Sequence, residues 1–145
     1  MQEPESLPPP SSAEPSVKDR LLFDVPAAVY IALVFIGASI PWAPRLGVPL
    51  LSMDKMQHLL AFGGMQLLLH RAVQHRFMFS SSPKTLLVTA LASTSFGALI
   101  ELWQTALPYR SGDWADLLAD TIGVALACVL IRVFGWQRRS QPESP

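Results

Sequence analysis

The chain has 145 residues, enough for one domain, and half of them are hydrophobic while only 15% are charged, against roughly a quarter in soluble domains. Eleven basic residues balance eleven acidic ones, which leaves no electrostatic footprint for nucleic acid. The single cysteine, Cys128, excludes an intrachain disulfide and any multi-cysteine metal site; in its apolar run it reads as filler.

Residues 1–20 are rich in Pro, Ser and Glu and hold almost nothing to bury, so they read as a disordered cytoplasmic tail. No short basic region directly precedes the first apolar core and no small-residue cleavage site ends it, so this block reads as a retained anchor. The block, 25–42 (VPAAVYIALVFIGASIPW), is near the lower limit for crossing a hydrocarbon core of roughly 30 Å. Pro26 suits a first helical turn, and Pro41 with Pro44 ends the helix. A short loop leads to the second block, 54–73, whose polar residues crowd its start and whose Gly63 and Gly64 admit a neighbouring helix. The link 74–84 mixes basic, aromatic, Ser and Pro residues and reads as an interfacial loop.

In the third block, 85–103, Ala90, Thr94 and Gly97 continue into Glu101 and Gln104 at spacings of four, three, four and three. That is one helical stripe, expected to face a neighbouring helix. The fourth block, 116–134, repeats the pattern with Asp116, Asp120, Gly123 and Ala127. Residues 136–145 form a polar, basic tail. The expected fold is therefore all-α, an integral membrane four-helix bundle over 21–135. A soluble bundle fits less well, because each block in turn approaches spanning length.

With both termini cytoplasmic, the inner side carries Lys18, Arg20, Arg71, Arg76, Lys84, Arg132, Arg138 and Arg139, and the outer side only Arg45, Lys55 and Arg110. Eight against three fits the positive-inside bias and favours both termini inside; the expected setting is the inner (cytoplasmic) membrane, as a multi-pass protein among membrane lipids. Trp42, Trp103, Tyr109 and Trp114 then form an outer aromatic belt, and Phe77, Phe79 and Trp136 an inner one.

This topology gathers Asp54, Lys55, His58, Glu101, Gln104, Arg110, Ser111, Asp113, Asp116 and Asp120 on the outer face. Asp54 and His58 share a helical face, while Asp113 and Asp116 are placed to cap the fourth helix. Five carboxylates meet two firm cations, Lys55 and Arg110, and the titratable His58. The excess acid calls for a divalent cation on oxygen ligands, a cationic group on a ligand, or bound protons. Glu101 stands about a turn inside the interface, where an unpaired charge costs on the order of 2–3 kcal/mol; Arg110 or Lys55 could pair with it. His70 and His75 lie at the opposite edge and read as interfacial. Ser111 has no histidine in its local sequence and makes a poor nucleophile.

Asp54-Lys55 with His58, Glu101-x-x-Gln104, Pro108-Tyr109-Arg110-Ser111, and Asp116 followed by Asp120 and Gly123 resemble, in this order between apolar spans, the VanZ-like membrane proteins. That family is named for a protein linked to teicoplanin resistance. The resemblance covers about 54–127. Asp120 stands where many members have Asn, and Ala127 where a small residue, often Gly, is usual. The resemblance implies a small integral protein of the bacterial cell envelope and supplies no established reaction.

Three functions follow as expectations. The first is an outer-face pocket of Asp54, Lys55, His58, Glu101, Gln104, Arg110, Asp116 and Asp120. It would bind a lipid headgroup, a lipid-linked wall precursor or a lipoglycopeptide, with a contribution to glycopeptide resistance. The second is a membrane-surface enzyme on a lipid or glycolipid, with Glu101 or Asp120 as general base, His58 as acid and Arg110 as electrostatic stabiliser; a metal-assisted form would use Asp54, Asp116 and Asp120. The third, an ion-coupled transporter, ranks last because no polar site is evident mid-span.

Overall fold

The computed structural model describes residues 16–41, 53–76 and 82–139, with the side chains of 19, 53 and 135–139 left aside. Trp42, Pro44, Arg45, Phe77 and Phe79 lie outside the described residues, as do the side chains of Trp136, Arg138 and Arg139.

Four helices account for nearly all of it. The first, α1, is continuous through an α-helical turn Val17–Asp19, a π-helical stretch Arg20–Asp24 and an α-helical run Val25–Ser39. Then come α2 (Met53–Arg76), α3 (Pro83–Thr105) and α4 (Trp114–Arg139). Two corrections concern the ends: α1 begins within the expected 1–20 tail, and α4 runs into the expected 136–145 tail. Pro26 sits in the first turn of the α-helical run of α1, where a missing N–H costs no hydrogen bond. Pro83 does the same for α3, behind a Ser82 cap whose Oγ accepts from Thr85 N at 3.2 Å.

Cross-contacts fix the directions. Asp24 meets Arg76 and Ser39 meets Trp103, so α1 starts beside the end of α2 and ends beside the end of α3. Lys55 meets Asp116, and Gly63 meets Gly123, so α2 and α4 run parallel. That pair packs most closely because glycines face each other: a Cβ at Gly123 would strike Leu59 O and lie 3.1 Å from Gly63 N. Small residues of this kind let membrane helices approach backbone to backbone.

Polarity is arranged inside out. Leu60, Leu87, Leu91, Leu99, Leu126 and Val129 are exposed, whereas Gln66, Ser93, Asp120, Thr89 and His70 are buried. Contiguous apolar exposure on this scale marks a surface made for lipid, not water. Three stretches, Arg20–Ser39, Pro83–Thr105 and Trp114–Phe134, are long and apolar enough to cross a membrane. The remaining helix, α2, carries much of the buried polarity and packs against the other three, so that Gln66 and His70 face protein. Phe62, Met65, Ile100 and Val124 form the apolar core between polar layers.

The mid-bundle polar layer was not foreseen. Gln66 Nε2 donates to Thr89 Oγ1 at 3.1 Å, Ser93 Oγ donates to Gln66 Oε1 at 2.9 Å, and His70 Nδ1 lies 3.3 Å from Thr89 Oγ1. His70, expected at an interface, is 2% exposed, a correction that follows from Thr89 offering it a partner inside the bundle. His75 stacks on Phe23, ring centres 4.1 Å apart. The buried stripe of α3 is Thr85, Thr89, Ser93, Gly97, Glu101 and Gln104, so the expected Ala90 and Thr94 are half-buried flanks of it.

Candidate functional site

The expected polar residues meet at one end of the bundle, the end opposite both described chain ends. The α3–α4 connection folds tightly there because Pro108 lies in a turn after α3 closed by the Arg110 N to Leu107 O bond. Asp113 then caps α4: its Oδ1 accepts Ala115 N at 2.9 Å. Its own N–H donates to Glu101 Oε2 at 2.7 Å. Glu101 therefore pairs neither with Arg110 nor with Lys55; it holds the backbone at the entrance to α4.

Lys55 reaches from α2 to α4 and donates to Asp113 Oδ2 at 3.1 Å and Asp116 Oδ1 at 2.9 Å. Asp116 is thus an ion-pair acceptor where a cap was expected. The Ala115 N–H and the Lys55 ammonium hold the Asp113 carboxyl below the ordinary carboxylate range. Arg110 Nη2 donates to Ile40 O at 3.1 Å, Tyr109 OH to Ser39 O at 2.9 Å, and Gln104 Nε2 to Ala38 O at 3.1 Å. These three bonds tie the unsatisfied carbonyls at the end of α1 to the α3–α4 turn.

Two regions result. An open pocket of about 180 Å³ is lined by Asp54, Gln104, Tyr109, Arg110, Asp113 and Asp116, with Pro41 and Ser111. Beneath it, His58, Glu101 and Asp120 converge from α2, α3 and α4. His58 Nδ1 is 2.9 Å from Asp120 Oδ1, while Glu101 Oε1 and Asp120 Oδ2 are buried without a hydrogen-bond partner among the described residues. Asp120 fits because Gly97 faces it; a Cβ there would lie 2.8 Å from Asp120 Oδ2. The eight expected site residues are thus brought to one end, but divided between rim and interior.

The profile of the VanZ/LLP1 family matches residues 14–135. The chain belongs to the VanZ/LLP1 family. It is also 32% identical over 105 residues to an uncharacterised protein of the fission yeast Schizosaccharomyces pombe, an alignment covering 71% of this chain and 60% of that one. The chain thus spans less than two thirds of that relative. No solved structure matches it. For a VanZ/LLP1 protein, the residues that carried the sequence resemblance have clear structural duties: Glu101 and Asp113 build the turn into α4, Gln104, Tyr109 and Arg110 fasten it to α1, and Gly123 seats α4 on α2.

Proposed function

We propose that this VanZ/LLP1 protein is a four-span protein of the cytoplasmic membrane, both termini inside, whose outer-face pocket takes the headgroup of an amine-bearing lipid. The observation that carries this reading is the charge of the pocket. Among the described residues, Asp54, Asp113 and Asp116 line it against one cation, Arg110, and Lys55, half-buried below, is already shared between Asp113 and Asp116. An ammonium group answers that excess, and Arg110, at the rim, suits the adjoining phosphate.

Size narrows the choice. Pockets that engulf drug-sized ligands run to about 300–1,000 Å³, so about 180 Å³ suits a headgroup. A lipid-linked wall precursor or a lipoglycopeptide would enter by a small amine-bearing tip, and glycopeptide resistance would be a consequence of that capture. The relative in a fungus favours a headgroup available in more than one kind of membrane. The orientation rests on the positive-inside count.

The test is native mass spectrometry of the full chain released from nanodiscs that contain equal phosphatidylethanolamine and phosphatidylglycerol. Wild type should retain phosphatidylethanolamine selectively, and Asp54→Asn and Arg110→Gln should lose that selectivity. Equal retention of both lipids by all three proteins would overturn the reading.

The His58–Asp120 pair supports a second reading, acid/base catalysis on a bound lipid, with Asp120 orienting the imidazole. Turnover of the same lipids by wild type and its loss in His58→Gln is the expected result; absence of any product rejects it.

A further inference from the structure

We propose that His58, Glu101 and Asp120 form a binding site for one divalent first-row metal ion, held between three helices below the polar pocket. None of the three lines that pocket, so the proposal stands independently of the headgroup reading. Each residue offers a donor atom, and these atoms lie within 4.8 Å of one another.

Burial supplies the second observation. Glu101 is 8% exposed and Asp120 fully buried, yet Glu101 Oε1 and Asp120 Oδ2 have no hydrogen-bond partner among the described residues. A buried acceptor without a donor costs about 1–3 kcal/mol, more when it is charged. Ionised, the two carboxylates leave two negative charges against at most one on His58, in a bundle whose outer surface is apolar. A divalent cation would meet both orphaned oxygens at once and balance the charge.

The donor set also selects the ion. One imidazole with two carboxylates suits Zn²⁺ or Mn²⁺ better than Ca²⁺, which takes all-oxygen cages, or Cu⁺, which takes sulfur. At bonds of about 2.0–2.2 Å a tetrahedral ion holds its donors about 3.3–3.6 Å apart, so a spread of up to 4.8 Å closes once the side chains draw inward by about an ångström. Three protein ligands leave a coordination position for water or another ligand. The Lys55 bridge and the Asp113 N–H to Glu101 bond stiffen this frame from above.

The experiment uses the full chain in nanodiscs, stripped with chelator and titrated with ZnCl₂ by calorimetry, then with CoCl₂ by visible absorption. Wild type should bind one Zn²⁺ per chain and give cobalt d–d bands. Glu101→Gln, Asp120→Asn and His58→Ala should each weaken Zn²⁺ by at least about tenfold and lose those bands, whereas Asp54→Asn should keep both. No stoichiometric Zn²⁺ binding by wild type would overturn the proposal. So would wild-type binding in Glu101→Gln, a near-isosteric change that preserves packing. Loss of lipid selectivity in Asp54→Asn with metal binding intact would separate this site from the pocket.

Discussion

Lys55 makes its bonds to residues 58 and 61 positions away, and those bonds join the starts of α2 and α4. Removing it strands Asp116, whose side chain is 8% exposed. Lys55→Met should therefore destabilise the protein by about 1–3 kcal/mol, the cost of an unpaired buried group, readable as a lower thermal midpoint in detergent. Asp113 gives the pH dependence. Its folded-state pKa is depressed, so the stability it contributes is complete above its unfolded value of about 3.9 and is lost as pH falls through the lower folded value. The midpoint should drop below about pH 4 in wild type, and Asp113→Asn should start lower at neutral pH and show a shallower acid decline. The types and spacing of these residues were visible in sequence, but their pairings were not. Glu101 bonds a backbone N–H, and no pattern of side chains announces a backbone partner.

At the scale of the helix, the α2–α4 contact depends on having no side chain at two positions. Gly123→Ala would push a methyl group onto Leu59 O and the Gly63 backbone, neither of which can swing aside. Overpacking of this kind costs about 1–3 kcal/mol, so this variant should unfold at lower temperature or lower denaturant. Gly64→Ala is the contrast: its Cβ would meet the Tyr30 hydroxyl, the free end of a side chain, and the effect should be smaller. In α3 the inward face is set at mid-bundle by the Thr89 and Ser93 hydroxyls bonding to Gln66 of α2, and nearer the site by Gly97, which makes room for Asp120. A double-mutant cycle of Gln66→Leu with Ser93→Ala should return a coupling of about 0.6 kcal/mol, typical between membrane helices. Gly97 lies on the expected stripe, whereas Ala90 and Thr94 lie one position aside of the buried Thr89 and Ser93, because Ala, Ser and Thr are similarly compatible with a helix neighbour and only the location of Gln66 separates them.

For the whole molecule, both described chain ends lie at one end of the bundle and the pocket at the other, which makes orientation testable. In a Cys128→Ala background, Ser111→Cys should react with an impermeant maleimide on intact cells, while a cysteine placed at Gln141 should react only after the membrane is opened. The reverse pattern would put the pocket inside. Four apolar blocks, the turn at Pro108 and the crowding of acid at one end were written into the sequence, because hydrophobic length and helical spacing are local properties of the chain. Tertiary packing decided the rest. It separated rim from interior, turned His70 and Gln66 inward, committed Lys55 to Asp113 and Asp116, and left two carboxylate oxygens of Glu101 and Asp120 buried beside His58. Those outcomes depend on which helix faces which, at what height. That register is set where Gly63 meets Gly123, a contact between residues 60 apart in the chain.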